Sequence, residues 1–362
     1  MLPRLTFLVG LLLIGVDAGP LQKRFRFERP PSVYPPDIVD KLEEEAISKF
    51  EEWVAKNPAA SGCTLETARE EYISAVLCLQ NLPAKAPKDK FPGARSRYDD
   101  FAHLLPAHRY FIWVYETALR DECGYTGYQP YWNYDRYAAD PINSPLFNGN
   151  ASSMGGNGAP SEYPGVRQMG FKPPYDIIPS AGGGGMVVSL GPLSTIVSDI
   201  PPNPQKDGLG SNPRCLRRDV NKYSASVTTA DHAYKLITES PDIETFQKIL
   251  LGQPDKNDWG IHTGGHYTIG GDPGGDFFAS PGDPVFYFHH GAIDRFWWIW
   301  QMQDPDNRMY QYPGQTLKSG QTPDEFAEKD VININWLAPN VTVKNMMTNI
   351  GGHDGNFCFI YI

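Results

Sequence analysis

The spacing of apolar residues predicts a mainly helical chain, with amphipathic helices in its first third. From Asp37 to Lys56, apolar side chains recur every three or four residues and therefore share one face of a helix. These side chains are Ile38, Leu42, Ala46, Phe50 and Val54. A similar pattern covers Leu65–Leu82, and a third helix is predicted to begin near Pro106. We expect the apolar faces of these helices to pack around a common core.

The strongest helical pattern lies near residue 290. Asp283 can cap a helix whose first position is Pro284, where a missing N–H does no harm. From there one face carries an aromatic ring, an imidazole, a carboxylate and an indole, from Phe286, His290, Asp294 and Trp297. Thr229–Ala233 and Ile243–Leu251 predict further helical turns, and 331–343 predicts short strands. Residues 139–215, rich in Gly, Pro and Ser, predict either a domain linker or a long loop within one domain.

Three histidines are spaced so that they can bind one metal ion. His262 and His266 stand at i and i+4, which lets both imidazoles point the same way from one helix. This spacing alone is common by chance, and the intervening Gly264 and Gly265 lower helix propensity. The helix that carries His290 strengthens the prediction, because its imidazole can complete the group. Inward-pointing ligands converge in bundle cores, so we expect a four-helix bundle that holds the metal, with long Gly- and Pro-rich loops and few strands.

Four segments resemble the type-3 copper proteins, the family of tyrosinases, catechol oxidases and haemocyanins. They are SerProGlyAspProValPheTyrPheHisHisGlyAlaIleAspArgPheTrp at 280–297 with HisThrGlyGlyHis at 262–266, HisArgTyrPheIleTrpValTyrGlu at 108–116, and the ProTyrTrp segment within 121–135. The resemblance covers roughly residues 60 to 305. The run at 270–284 is most similar to short secreted fungal tyrosinases and to o-diphenol or o-aminophenol oxidases. The single-domain interpretation of 139–215 is favoured, because the two copper half-sites lie on either side of this stretch and must meet.

The resemblance implies two copper ions. His262, His266 and His290 would bind the second copper, and His289 would pack beside that site. For the first copper the sequence offers His108 and, five residues earlier, His103, where the family has three histidines. Ala107 stands where an aromatic residue is expected. We interpret this as a missing stretch of roughly a dozen residues, such as an exon dropped from a gene model, which sequencing the transcript across Phe101–Leu104 would test.

The implied activity is oxidation of o-diphenols to o-quinones with dioxygen, and of monophenols or o-aminophenols in some members. Small phenols and dioxygen would then be the partners. The rival interpretation is a copper-deficient, inactive variant, because first-site histidines are missing. A non-enzymatic oxygen carrier is less favoured, since such carriers are large multidomain or hexameric chains.

Several neighbouring residues have implied supporting roles. An Arg109–Asp294 ion pair would tie the two half-site helices together, although Arg109 is alternatively a surface charge. Asp258 stands where relatives carry an acid that orients a water able to deprotonate phenol, or is alternatively a solvated loop charge. Four further residues would surround the substrate mouth or shield the copper: Thr263, Tyr267, Phe277 and Phe278.

Composition and cysteine usage indicate an exported protein. The net charge of −10 argues against a nucleic-acid partner. Residues 1–18 resemble a secretory signal peptide, because the apolar run from Leu5 to Val16 is too short to span a membrane, and no other segment is apolar enough. Residues 19–36 would be a propeptide or an extended segment, and 37–362 a single copper-binding domain. Five widely spread cysteines predict disulfides with at least one residue left over, and Asn150 and Asn340 begin glycosylation sequons.

Overall fold

Helices dominate the computed structural model, which describes residues 32–56, 70–102, 108–150, 152–157, 182–188 (backbone only), 203–206, 208–253, 258–276, 278–311 and 330–361. All of these residues belong to one compact unit, Pro31–Ile362. The predicted signal peptide at 1–18 lies outside the described residues. No helix in the described ranges is long and apolar enough to cross a membrane.

Seven helices of nine or more residues make up the described framework. They are α1 (Ile38–Lys56), α2 (Glu70–Asn81), α3 (His108–Cys123), α4 (Ala230–Thr238), α5 (Ile243–Leu251), α6 (Gly260–Ile269) and α7 (Val285–Gln303). Shorter helical segments are Asp99–Phe101, Tyr134–Tyr137, Pro141–Asn143, Ser224–Val227, Ser280–Gly282, Pro305–Arg308, Val343–Met346 and His353–Gly355. The prediction of a mainly helical chain is therefore confirmed.

Two small antiparallel sheets accompany the helices. Strand β1 (Gly182–Val188) pairs with β2 (Arg214–Arg217). Strand β3 (Val331–Ile332) pairs with β4 (Val341–Thr342), so that Val331 lies opposite Thr342. The second sheet provides the short strands predicted at 331–343. Most of the Gly- and Pro-rich stretch at 139–215 lies outside the described residues.

The long helix α7 is the centre of the fold. Sixteen of its nineteen residues are buried, as expected of a helix that is apolar around most of its circumference. It packs against α1, α3, α4 and α6, while α2 packs against α3. Its start is fixed by Asp283, whose Oδ1 accepts a hydrogen bond of 2.9 Å from the Val285 N–H. The helix therefore begins one residue after the predicted Pro284.

Covalent and ionic links join the helices around α7. The buried Arg295 guanidinium donates two hydrogen bonds of 2.8 Å to Glu43, which ties α7 to α1. A disulfide between Cys78 and Cys123 joins α2 to the end of α3. Cys358 is also disulfide-bonded, whereas Cys215 is an exposed free thiol. The predicted leftover cysteine is therefore Cys215.

Candidate metal centre

Helix α6 carries the His-x3-His pair, and the two glycines between the histidines allow this helix to pack closely. A Cβ at position 264 would lie 2.2 Å from Val227 Cγ2. A Cβ at position 265 would lie 2.2 Å from Cε1 of His289 on α7. Glycine lowers the stability of the helix, and the close contact with two neighbouring segments offsets this cost.

Helix α7 contributes two histidines to the same place. His290 Nε2 lies 3.1 Å from His266 Nε2. His262, His266, His289 and His290 each offer a ring nitrogen, and these nitrogens all lie within 4.8 Å of one another. We call these four residues the histidine group. Sequence reasoning placed His289 beside this site, whereas the structure places it within the group.

The ring nitrogens of the histidine group are suited to binding a metal. His262 Nε2 and His290 Nδ1 are buried without a hydrogen-bond partner among the described residues. Burial lowers the pKa of His262 to about 4 and keeps the pKa values of His266, His289 and His290 well below their usual range. The imidazoles are therefore neutral at pH 7, and neutral imidazole is a good ligand for copper or zinc. An unpartnered buried nitrogen costs about 1–3 kcal/mol, which metal binding would offset.

His108, at the start of α3, contacts the histidine group by ring stacking. Its ring stacks on that of His290, with centroids 3.8 Å apart and planes inclined by 17°. Burial, and to a smaller extent the nearby His262, lower the pKa of His108 to about 3. The other predicted first-site histidine, His103, lies outside the described residues, as does Ala107. Within the described chain, His108 is thus the one first-site candidate beside the histidine group.

The predicted ion pair between Arg109 and Asp294 is present and buried. Arg109 Nε lies 2.7 Å from Asp294 Oδ1, and the Tyr361 hydroxyl donates a 2.6 Å hydrogen bond to the other carboxylate oxygen. The Arg109 guanidinium also donates to the Met347 carbonyl at 2.9 Å and stacks over the Trp297 ring. Since Arg109 follows His108 and Asp294 lies one turn after His290, this network fixes the relative position of two histidine-bearing helices.

The residues predicted to act near the substrate lie around α6. Asp258 is exposed, and its carboxylate accepts a hydrogen bond of 3.1 Å from the Gly260 N–H at the start of the helix. Thr263 and Tyr267 are half-buried, and the Tyr267 ring lies 5.3 Å from that of Trp259. Phe278 is 46% exposed, and Phe277 lies outside the described residues. The roles of these residues remain predictions.

A cavity of about 370 Å³ is lined in part by Arg109 and Asp294. Residues of α3, of the 128–137 segment and of the C-terminal segment 359–361 line it, and no described histidine does. The cavity is therefore separate from the histidine group.

Comparison with known proteins gives consistent matches. Residues 87–303 match the family model of the common central domain of tyrosinase. Tyrosinase P of Aspergillus terreus is 36% identical over 277 residues, which cover 69% of this chain and 77% of that protein. The N-acetyl-6-hydroxytryptophan oxidase of Emericella nidulans is 33% identical over 328 residues, covering 80% and 87%. The structure of a mutant polyphenol oxidase from Thermothelomyces thermophila matches with a TM-score of 0.74 and 36% identity, covering 91% of this chain and 98% of that one.

Proposed function

The chain belongs to the tyrosinase family of type-3 copper oxidases, and we propose that it oxidises o-diphenols to o-quinones with dioxygen. The observation that carries this proposal is the histidine group, in which four neutral imidazoles converge between two helices. Relatives named as a tyrosinase, an N-acetyl-6-hydroxytryptophan oxidase and a polyphenol oxidase support aromatic substrates with oxygen-bearing rings. Monophenols and o-aminophenols belong to the same substrate class and are secondary candidates.

The residues of this chain would hold and position the reacting groups. The histidine group would bind copper through the nitrogen lone pairs that burial keeps unprotonated. Copper, when bound, supplies reversible one-electron chemistry and a binding position for dioxygen. The Arg109–Asp294 pair would hold the His108 and His290 helices at a fixed distance. Thr263 and Tyr267, each directly after a histidine, would contact a phenol that enters from the α6 side.

Asp258 would orient a water molecule that accepts the phenolic proton. Its carboxylate is exposed and held by the Gly260 N–H, one turn before His262. Asp258→Asn should lower the turnover of a monophenol more than that of catechol, because a monophenol is a weaker acid than catechol and depends more on a base. Equal losses on both substrates would argue against this role.

The first copper site limits the activity of this sequence. A two-electron oxidation coupled to dioxygen reduction needs two coppers, and the sequence offers at most His103 and His108 to the first. We therefore propose that the chain as written oxidises catechol poorly or not at all. The test is turnover of catechol by the full chain after loading with excess copper and desalting, beside a His262→Ala variant. Weak copper-dependent oxidation that the variant loses supports o-diphenol oxidation, whereas rapid turnover by the parent chain would contradict the interpretation of an incomplete first site.

We also propose that the protein is exported. The apolar run at 5–16 with a small-residue end near Ala18, and the Cys78–Cys123 disulfide, both suit an oxidising compartment. N-terminal sequencing of protein from the culture medium should give a start after Ala18 or after Arg24. Recovery of the uncleaved chain from the cytosol would contradict export.

A further inference from the structure

The cavity of about 370 Å³ beside the Arg109–Asp294 pair has the size of a small-molecule site. Residues of α2, of α3 and of the 128–137 and 359–361 segments contribute to its wall. Nine of the described lining residues are aromatic. Among them Trp113 and Tyr137 are only half-buried, so part of their ring surface can still be covered by a ligand. Such a wall favours an aromatic ring as the occupant.

The charged side chains in the described wall of the cavity already have partners of opposite charge. The pairs are Arg109–Asp294 at 2.7 Å, Glu116–Arg120 at 2.9 Å, and Arg136–Asp40. A charged ligand would lose its hydration on entering and would find each of these charges already paired. Burial of an unpaired charge is costly, so the cavity favours an uncharged molecule.

Glu116, on α3, supplies a hydrogen-bond acceptor in the wall of the cavity. Its carboxylate accepts a hydrogen bond of 2.6 Å from the Gln129 N–H and lies 2.9 Å from the Arg120 guanidinium. An ionised carboxylate can accept about four hydrogen bonds, so Glu116 can accept a further one. Its side chain is 14% exposed, which leaves it within reach of a ligand. Because an ionised carboxylate only accepts, the matching group on the ligand is an O–H or an N–H.

We propose that this cavity is a second small-molecule site, which binds an uncharged, planar aromatic compound that donates one O–H or N–H to Glu116. No described lining residue is a histidine, so binding there needs no metal and does not depend on the proposed function. A ligand that binds only the folded chain also stabilises it. Here the ligand would do so beside Arg109 and Asp294, the pair that joins α3 to α7.

The test uses the metal-free, full-length chain and the fluorescent probe 2-naphthol, which combines two fused aromatic rings with one O–H. Its fluorescence anisotropy should show saturable binding of one probe per chain, and the probe should raise the urea concentration at which the chain unfolds. Ile73→Trp fills the cavity from α2 and should abolish both effects, whereas His262→Ala should keep both. Leu77→Trp, one turn later on α2, is the matched control, because Leu77 is 45% exposed and lies outside the cavity wall.

A second comparison covers the case in which Ile73→Trp does not fold. The probe 2-methoxynaphthalene keeps the two rings but lacks the donor, so the parent should bind it more weakly than 2-naphthol. Glu116→Gln should weaken only the binding of 2-naphthol, because a hydrogen bond to an ionised acceptor is about twice as strong as one to a neutral acceptor. The proposal is overturned if the parent shows no saturable binding or binds both probes equally well. Binding that survives Ile73→Trp but is lost in His262→Ala would also overturn it, because the probe would then occupy the histidine group.

Discussion

At the scale of single residues, Asp219 couples folding to pH. Its Oδ1 is buried without a hydrogen-bond partner among the described residues, and burial raises its pKa from 3.8 to about 8. Between these values the folded state retains a proton that the unfolded chain has lost. The contribution of Asp219 to stability therefore falls as pH rises from about 4 to about 8.

Asp219→Asn should remove this loss, because an amide stays neutral at every pH. We expect the variant to match the parent near pH 4 and to exceed it at pH 8.5 by more than about 1.4 kcal/mol, the equivalent of one pKa unit. Urea unfolding at the two pH values measures the difference. Asp242→Asn is the contrasting control, because a hydrogen bond from the Thr245 N–H lowers the pKa of Asp242 and its ionised form stabilises the fold. A gain at pH 8.5 in the control, or none in Asp219→Asn, would contradict this account.

Arg109 provides a second prediction at this scale. Arg109→Met leaves the buried Asp294 carboxylate without its cation, so the free energy of unfolding should fall by about 3–5 kcal/mol. Lys41→Met removes one partner of the exposed Lys41–Asp37 pair and should cost less than about 1 kcal/mol. Similar losses for the two variants would show that the buried network does not fix the helices as described.

The Arg109–Asp294 pair was predictable from the sequence, whereas the position of His289 was not. The Arg109–Asp294 pair followed from the spacing of each residue from a histidine, and the structure contains it. His289 could not be placed in this way, because consecutive helical residues point about 100° apart, which predicts different neighbours for His289 and His290. Its position beside His266 depends on how α6 crosses α7, and Gly265 was the one sequence signal for that close approach.

At the scale of elements, the helices and their bounds were more predictable than the way the helices pack against one another. Helix α5 has the predicted bounds, Ile243–Leu251, because its amphipathic pattern starts directly after Asp242, whose side chain accepts a hydrogen bond from the Thr245 N–H. Helix α4 begins one residue after the predicted Thr229 and continues to Thr238. The contacts of α7 with α1, α3, α4 and α6 depend on tertiary packing that no local pattern specifies.

The link between α2 and α3 gives a prediction at this scale. The Cys78–Cys123 disulfide closes a segment with a sequence separation of 45 residues, so it restricts the unfolded chain considerably. Replacing both cysteines by Ala should lower the free energy of unfolding by about 2–4 kcal/mol. Cys215→Ser, which removes the exposed free thiol, should leave stability unchanged within about 0.5 kcal/mol. Unfolding of both variants at the same urea concentration would contradict the predicted stabilisation by the disulfide.

At the scale of the whole molecule, copper content depends on residues 101–104. If a first-site segment is missing there, inserting the histidine-bearing segment of a relative between Phe101 and Leu104 should raise copper binding from about one to two per chain. Catechol turnover should rise with it, because both coppers are needed for the reaction with dioxygen. An inserted segment of equal length without histidines is the matched control. Two coppers bound by the parent chain would contradict the interpretation of an incomplete first site.

The most direct test of the central claim is the copper content of the purified full-length protein after loading with excess copper and desalting. The account predicts close to one copper per chain, near zero in His262→Ala, His266→Ala and His290→Ala, and an unchanged value in His232→Ala. Circular dichroism of each variant checks that the helical fold is retained. A parent protein without copper, or folded variants that keep the copper of the parent, would contradict the claim that the histidine group is a metal centre.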